Sequence, residues 1–327
     1  MLKRHLHKLT FAMVMATALP LSFAQSASTQ WPTKPIKLMV PYAAGGPADV
    51  VARELALVLT ADLKQAVTVE NQGGGMGVPA LGVVARAEPD GHTLLLAAFG
   101  NMVLQPMLSK KGGADLVAKL KPVSTISTGP HVLVVSAKLP VKTVPELIDY
   151  ARANPGKVSF ASAGTGGTAH LGMEMFKALS KTDVIHVPYK GSAGAVNDLV
   201  SGEVSAMFSS LPSLQGLADK GLVKVLAATA PSKSNATKSL PLIGTSLPGF
   251  DYTTWYAMYA PMATPKPVVD AINAALTKAL KTPALVAKIE AAGTELQPGS
   301  PEEVQAWTQR DTEKWSRVIR DAKIAVD

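Results

Sequence analysis

Four glycine-rich segments of this chain have a sequence pattern whose backbone could bind an anion. In "VPYAAGGPADVVARELA" (40–56) an apolar run ends at a proline, and an amphipathic run begins after two glycines. The segments "NQGGGMGVPALGVVAR" (71–86), "SAGTGGTAHLGMEMF" (162–176) and "HVPYKGSAGAVNDLV" (186–200) repeat this layout. A helix that begins at such a loop leaves unpaired N–H groups at its positive end, and glycine lets a ligand approach them. The pattern favours a small ligand with one or two carboxylates.

The first of these segments predicts a helix over 48–63, with Pro47 at the first helical position, where its missing N–H costs nothing. Asp49 would lie in the first turn and suit the helix dipole. Its charge would compete with an anionic ligand unless the carboxylate bonds to backbone or to a ligand amine. The alternative interpretation is that Gly45 and Gly46 only make the turn, because one glycine loop is a weak signal.

Residues for catalysis do not form a recognisable arrangement. There is no Gly-x-Ser-x-Gly motif, and nothing beyond proximity in sequence supports a triad of Ser162 with His170. The chain has no cysteine, and its histidines lack metal-ligand spacing, so we expect no metal. The loop "GTGGTA" is followed by Asp183, about where a ribose-binding acid would stand, but no Walker motif follows. We therefore expect no cofactor and no enzymatic activity.

The N-terminus predicts export. Basic "MLKRHLHK" precedes apolar "LTFAMVMATALPLSFA", which is the layout of a signal peptide (1–24), with cleavage after Ala24. An uncleaved membrane anchor is the alternative. Removal of the signal lowers the net charge of +8 by three, and the remaining lysines are scattered. Dispersed charge and an aromatic content of 5% disfavour nucleic acid as a partner and a broad stacking surface.

Short apolar runs alternate with runs of helical period along the rest of the chain. This alternation predicts parallel α/β sheets with both faces covered. The predicted strands are 36–40, 66–70, 93–98, 131–136, 158–161, 184–187, 204–208, 223–228 and 255–260.

Capping residues in the sequence also predict where several helices begin. Thr143 with Glu146, and Ser300 with Glu303, predict capping boxes, and Thr168 is predicted to cap the helix after strand 158–161. The stretch from Pro267 to Ala325 is predicted to be mostly helical. The segment "TAPSKSNATKSLPLIGTSLPGF" (229–250) is predicted to be a surface loop.

Several long motifs carry a resemblance to a known family. They are "WPTKPIKLMVPYAAGGPADVVAR", "VENQGGGMGVPALGVVARAEPDGHTLL", "ANPGKVSFASAGTGGTAHLGMEMF", "HVPYKGSAGAVNDLVSGEV" and "WYAMYAPMATP". In this order and spacing, the mature chain resembles the Bug family, the extracytoplasmic solute receptors of tripartite tricarboxylate transport systems. It departs from the family pattern at Ser205, where an aspartate is usual, and at Pro241–Thr245, which lacks the usual glutamate. Ala44 also replaces a frequent proline.

The resemblance implies a periplasmic binding protein of type II (Venus flytrap) with two α/β domains joined by a two-strand hinge. Domain 1 would be discontinuous, spanning 28–128 and 251–327, and domain 2 would span 129–250. The two crossings between domains would lie near 127–131 and 248–254, and the C-terminal helices would return to domain 1.

The resemblance also implies a binding site in the cleft, formed by backbone amides, hydroxyls and ordered waters. Domain 1 would contribute the loops 42–49 and 99–101, and domain 2 the loop 162–168, with Phe99 and Phe208 as an apolar wall. The implied binding residues are Tyr42, Ala44, Gly45, Gly46, Asp49, Phe99, Asn101, Ser162, Thr165, Gly166, Thr168, Tyr189 and Phe208.

The implied function is a monomeric periplasmic receptor. It would capture an amino acid, a di- or tricarboxylate or an aromatic carboxylate and deliver it to a membrane permease. Two alternatives stay open, a ligand-presenting partner of a membrane sensor and a periplasmic enzyme. The sequence leaves open which carboxylate binds.

Overall fold

The computed structural model describes residues 31–108, 113–189, 191–291 and 293–321. The predicted signal peptide lies outside the described residues. Within them, the chain forms two β-sheets flanked by helices, which confirms the predicted α/β class.

The first sheet has six strands in the order β11-β4-β10-β3-β1-β2. Its strands are Ile36–Val40 (β1), Val67–Asn71 (β2), Thr93–Ala98 (β3), Leu120–Pro130 (β4), Thr253–Pro261 (β10) and Glu295–Leu296 (β11). The helices on this side are Pro47–Leu63 (α1), Val78–Ala85 (α2), Gln105–Leu108 (α3), Gly113–Val117 (α4), Lys266–Ala279 (α10), Pro283–Ala291 (α11) and Pro301–Asp321 (α12). A 3-10 turn (Gly75–Gly77) precedes α2, and a π-helical turn (Gly100–Leu104) follows β3.

The second sheet has five strands in the order β7-β6-β8-β5-β9. Its strands are Val132–Ser136 (β5), Val158–Ser162 (β6), Val184–Pro188 (β7), Ala206–Ser209 (β8) and Val223–Ala228 (β9). The helices on this side are Val144–Ala153 (α5), Thr168–Ser180 (α6), Ser192–Ser201 (α7), Pro212–Asp219 (α8) and Ile243–Ser246 (α9). We call the parts of the chain built on the first and second sheets the first and second lobes.

The sheets contain the expected parallel pairs (β1 with β2 and β3, and β6 with β7 and β8) but also antiparallel ones. Strand β10 runs antiparallel to β3 and β4, and β5 runs antiparallel to β8 and β9. The physical reason lies in the connections. The chain passes directly from β4 into β5 and returns into β10, without the helical crossover that a parallel neighbour needs.

All nine predicted strands are present, within two residues at each end, but β4 and β11 were missed. Strand β4 has eleven residues, "LKPVSTISTGP", and its central positions are buried. Its prolines and its run of serine and threonine lack the apolar pattern by which the other strands were predicted. Two of its hydroxyls donate to backbone carbonyls: Ser124 Oγ to that of Gly299 at 3.0 Å, and Thr125 Oγ1 to that of Gln297 at 2.6 Å.

The two connections between the lobes are joined by one side chain. Thr229 Oγ1 accepts a hydrogen bond from the His131 N–H at 3.0 Å and donates to the Tyr252 carbonyl at 2.8 Å. His131 lies between β4 and β5, and Tyr252 lies just before β10. This arrangement agrees with the two-strand hinge that the family resemblance implies. The predicted domain limits stay a prediction.

The predicted capping boxes form, with one difference. Ser300 and Glu303 bond reciprocally, each side chain accepting from the other residue's N–H, at 3.3 and 2.7 Å. Thr143 Oγ1 accepts from the Glu146 N–H, but Glu146 reaches back to the N–H of Lys142. The predicted surface loop 229–250 is only partly exposed, since it contains the buried helix residue Ile243.

An aromatic core continues from one lobe into the other. Phe99 packs on Trp255 and Trp315, with ring centroids 6.1 and 5.6 Å apart. Trp315 packs on Tyr252, which packs in turn on Phe208. This core lies beneath the place where Gly100, after β3, approaches Thr168 at the start of α6. None of the helices in the described ranges is long and apolar enough to cross a membrane.

Candidate functional site

The loop between β1 and α1 is closed by its own aspartate. Asp49 is 4% exposed, and its Oδ2 accepts from the Gly45 N–H at 2.8 Å and from Arg53 Nε at 2.9 Å. Burial alone would raise the pKa of Asp49, but the bonds from Arg53 and Gly45 outweigh it and lower that pKa. Gly45 has φ +82°, a conformation that favours glycine. Asp49 is therefore a charged residue that positions the loop.

This loop is braced from β2 as well. Arg53 Nη2 donates to Asn71 Oδ1 at 3.1 Å, and Asn71 Nδ2 donates to the Tyr42 carbonyl at 3.3 Å. The backbone of Gly73 approaches so closely that a Cβ there would lie 2.9 Å from the Ala43 nitrogen. Helix α1 then begins after Gly46, with Pro47 at its first position as predicted. The neighbouring Ala44 is exposed.

Asn101 holds two loops of the first lobe together. It is 3% exposed and lies in the π-helical turn, an irregularity that is common at functional sites. Its Oδ1 accepts from the Ala98 N–H at 3.2 Å, and its Nδ2 donates to the Met76 carbonyl at 3.0 Å. The Asn101 amide therefore orients the backbone of the 3-10 turn.

Two hydroxyl groups, one from each lobe, converge on Gly100. A Cβ added to Gly100 would lie 3.7 Å from Thr168 Oγ1 and 3.9 Å from Tyr42 Oη. Burial, followed by the neighbouring Tyr256, raises the pKa of Tyr42 above its usual range, so this hydroxyl stays protonated and can donate. Both groups can donate to a carboxylate, and the missing side chain of Gly100 leaves the backbone between them uncovered.

The second-lobe loop 162–167 is held from behind by two histidines. Ser162 Oγ lies 2.6 Å from His186 Nε2, donates to the Gly164 carbonyl at 3.0 Å and accepts from the Gly164 N–H at 3.2 Å. The Gly166 N–H donates to His170 Nδ1 at 3.0 Å, and the two imidazole rings stack with centroids 3.9 Å apart. These bonds fix the loop that precedes α6.

Thr168 does not cap α6, contrary to the prediction. The residue before the helix is Gly167, in an extended conformation, and Thr168 is the first helical residue. His170 accepts from the Gly166 N–H instead, and the Thr168 hydroxyl faces Gly100. Thr165 is exposed at the tip of the loop, and Gly166, with φ +77°, is buried against the first lobe.

The Ser162–His186 pair does not have the geometry of a catalytic triad. Ser162 is 1% exposed, and the nearby carboxylate of Glu174 lies 3.7 Å from Nε2 of His170, on the other histidine. Burial, helped by the neighbouring His170, lowers the pKa of His186 to about 4. Within the described part of the chain, acidic and histidine side chains do not form a group that could hold a metal ion.

The structure does not bring every predicted site residue to the cleft surface. The side chains of Phe99 and Phe208 are 0% and 2% exposed and lie in the aromatic core, behind the loops they were expected to line. The hydroxyl of Tyr189 donates to Asp198 Oδ2, which helps burial to raise the pKa of Tyr189 to about 12. Tyr189 supports the loop through its backbone, donating its N–H to the Ser162 carbonyl at 2.9 Å.

Sequence reasoning did not single out Met76 or His186 as residues of this site. Both lie in glycine-rich segments quoted above, but neither has a residue type or spacing that marks a binding role. A methionine inside a run of four glycines was the one signal that could have drawn attention to Met76.

Known proteins share this architecture. The family model described as the tripartite tricarboxylate transporter family receptor (TctC) matches residues 51–324. BugT of Bordetella pertussis is 32% identical over 302 residues, covering 90% of this chain and 91% of BugT. Rpa4515 of R. palustris, solved with adipate, has a TM-score of 0.84 and 31% identity, covering 90% of this chain and 99% of that one.

A second solved structure is also similar to this chain. MatC from Rhodopseudomonas palustris, with bound malate, has a TM-score of 0.79 and 28% identity, covering 88% of this chain and all of that one. The family consists of solute-binding receptors and not of enzymes. These matches confirm the predicted resemblance: the chain belongs to the tripartite tricarboxylate transporter receptor family, and it is a solute-binding receptor with a periplasmic binding protein fold.

Proposed function

We propose that this receptor captures a small carboxylate between its two lobes in the periplasm and delivers it to a membrane permease of the tripartite tricarboxylate class. The observation that carries the proposal is the pair of hydroxyls, Tyr42 and Thr168, that approach Gly100 from opposite lobes. The adipate and malate in the two related structures are both dicarboxylates. They support a carboxylate as the ligand.

The proposed contacts come from both lobes, so that the ligand stabilises the closed form. In the first lobe, the Tyr42 hydroxyl and the backbone of 44–46 would face the ligand. In the second, the Thr168 hydroxyl and the backbone of 165–168 would hold a carboxylate at the start of α6. Asp49, Asn101, Ser162 and Tyr189 would position these loops.

A thermal-shift panel on ligand-free mature protein tests this function. It would contain amino acids, C4 dicarboxylates, adipate, citrate and aromatic carboxylates, with sugars and nucleotides as controls. A ligand at about 100 times its Kd adds roughly 2.7 kcal/mol, a shift of a few degrees for a chain of this size. We expect a shift with one carboxylate class; shifts with sugars or nucleotides alone would contradict the proposal.

The hydroxyl pair has its own test. Thr168→Val removes a donor to a charged group, which is worth about 1.5 kcal/mol or more, so affinity for the carboxylate should fall at least tenfold. Thr312→Val, at an exposed position on α12, is the matched control and should bind like wild type. Equal affinity in both variants, measured by calorimetry, would remove Thr168 from the site.

Delivery is tested separately, in cells. Carboxylate uptake should require both this receptor and a permease of that class, and purified receptor should bind membranes that contain the permease. Uptake that persists without the receptor would restrict the proposal to ligand capture.

A further inference from the structure

Met76 has an unusual backbone conformation next to the proposed site. It has φ +52° and ψ +27°, the left-handed region that few residues with a side chain adopt. The neighbouring Gly74, Gly75 and Gly77 also have positive φ. The Met76 carbonyl accepts from Asn101 Nδ2 at 3.0 Å, so a buried amide holds this backbone in place. The direction of the Met76 side chain is therefore set by the fold.

The thioether of Met76 crosses from the first lobe to the second. A Cβ added to Gly166 would lie 2.9 Å from Met76 Cε and 3.1 Å from its sulfur, with Leu108 Cδ1 at 3.4 Å. The methionine thus fills the notch left by the missing side chain of Gly166. Gly166 is held there by its hydrogen bond to His170 Nδ1.

This apolar contact shares a loop with the polar pair described above. Gly166 lies two residues before Thr168, whose hydroxyl faces Gly100 together with that of Tyr42. A carboxylate held by these hydroxyls would have the thioether of Met76 beside the rest of its carbon chain. The methionine side chain has no donor and only a weak acceptor for ligand hydroxyls, and its polarisable thioether adapts to apolar groups of different shape.

We propose that Met76 determines specificity. Its thioether forms the apolar wall of the site and selects carboxylates with an extended apolar body over hydroxylated ones of the same length. The inference rests on the proposed function and names the substrate class within it. Each methylene buried on the wall should add about fourfold in affinity.

Two probes of equal length test the selection. Adipate and galactarate both carry two carboxylates on a four-carbon spacer, and only galactarate has a hydroxyl on each spacer carbon. Calorimetry on protein that was unfolded, dialysed and refolded gives the ratio of the two dissociation constants. We expect wild type to prefer adipate by at least 30-fold.

Met76→Asn is the main variant, because asparagine tolerates φ near +52° and replaces the thioether by a polar amide. It should lower the preference for adipate at least tenfold. Met262→Asn is the matched control, since Met262 is 46% exposed and lies after β10 on the loop to α10, and it should leave the ratio unchanged. Met76→Gly relieves the backbone strain and keeps the test available if the asparagine variant does not fold.

The possible outcomes distinguish a failure of the Met76 proposal from a failure of the proposed carboxylate binding. An unchanged ratio in Met76→Asn or Met76→Gly overturns the role of Met76. A wild type that prefers galactarate, or that binds another carboxylate of the panel but not adipate, overturns the apolar class and leaves carboxylate binding intact. A wild type that binds no carboxylate at all overturns both.

Discussion

Helices α1 and α6 begin in nearly the same way and differ in charge. Each follows a parallel strand, starts after an extended glycine (Gly46 or Gly167) and ends at a lysine with positive φ. In each, the third helical residue accepts a hydrogen bond from the N–H of the residue before that glycine. In α1 this acceptor is a carboxylate, Asp49; in α6 it is an imidazole, His170.

The difference decides where an anion is stabilised. Asp49 places a negative charge at the positive end of the α1 dipole, and Arg53 balances it. The first turn of α6 contains no acid, so its dipole is available to a ligand. One backbone arrangement therefore serves two purposes: α1 stabilises its own loop, and α6 is the proposed carboxylate site.

The largest expected effect comes from copying the α1 acceptor into α6. His170→Asp keeps an acceptor for the Gly166 N–H and adds a negative charge near the proposed carboxylate position. For a separation of about 6 Å and an effective dielectric of about 20, this charge would cost roughly 2.8 kcal/mol, or about 100-fold in carboxylate affinity. His170→Asn, which keeps an acceptor without the charge, should bind within about fivefold of wild type. Equal affinities in the two variants, measured by calorimetry, would contradict the comparison.

The reverse change in α1 should have a smaller effect. Asp49→Asn keeps an acceptor for the Gly45 N–H, removes the charge and leaves Arg53 without its partner. Stability should fall by about 1–2 kcal/mol in urea unfolding. Carboxylate affinity should rise about threefold, because the α1 dipole and Arg53 are no longer neutralised. Tighter carboxylate binding by Asp49→Asn would support the comparison of the two helices. A tenfold loss of affinity would contradict it and show that the Asp49 charge itself contacts the ligand.

The smallest expected effect is a difference in pH dependence between the two helix starts. Burial lowers the pKa of His186, behind the α6 loop, from 6.5 to about 4. The unfolded chain then binds more protons than the folded one between these values, so stability falls as pH decreases from 6.5 to 4. Because His186 is partly solvent-accessible, we expect a loss of roughly 1 kcal/mol. The lowered pKa of Asp49 has the same sign, but it removes stability only below about pH 3.8, the ordinary value of that carboxyl.

Urea unfolding at pH 7.5 and 5.0 checks this difference. His131, whose pKa burial also lowers to about 4, contributes in the same range, so His186→Gln should remove only part of the loss. The double variant with His131→Gln should be nearly flat between these pH values. An equally large loss in the double variant would assign the pH dependence to other groups.

The sequence predicted the strands and glycine loops because both depend on local chemistry. It did not predict β4, in which the Ser124 and Thr125 hydroxyls are satisfied by the distant carbonyls of Gly299 and Gln297. It assigned the α6 cap to Thr168, since a histidine that accepts from an N–H is not a usual capping signal. It also expected Phe99 and Phe208 in the cleft, and only tertiary packing shows that these rings join the aromatic core.

The direction of each loop side chain was likewise beyond the sequence. Ser162 turns back to His186 because the turn at Gly164 brings both backbone groups of that glycine to its hydroxyl. Met76 reaches the second lobe because glycines on both sides permit a left-handed turn. Contacts of this kind depend on how two distant segments approach each other.

A crystal structure of the mature protein with adipate would test the central claim most directly. The account predicts one carboxylate within about 3.2 Å of Thr168 Oγ1 and of the free N–H groups in the first turn of α6, with Tyr42 Oη donating from the other lobe. A carboxylate bound instead to Arg53 at the start of α1, with Thr168 out of reach, would contradict it.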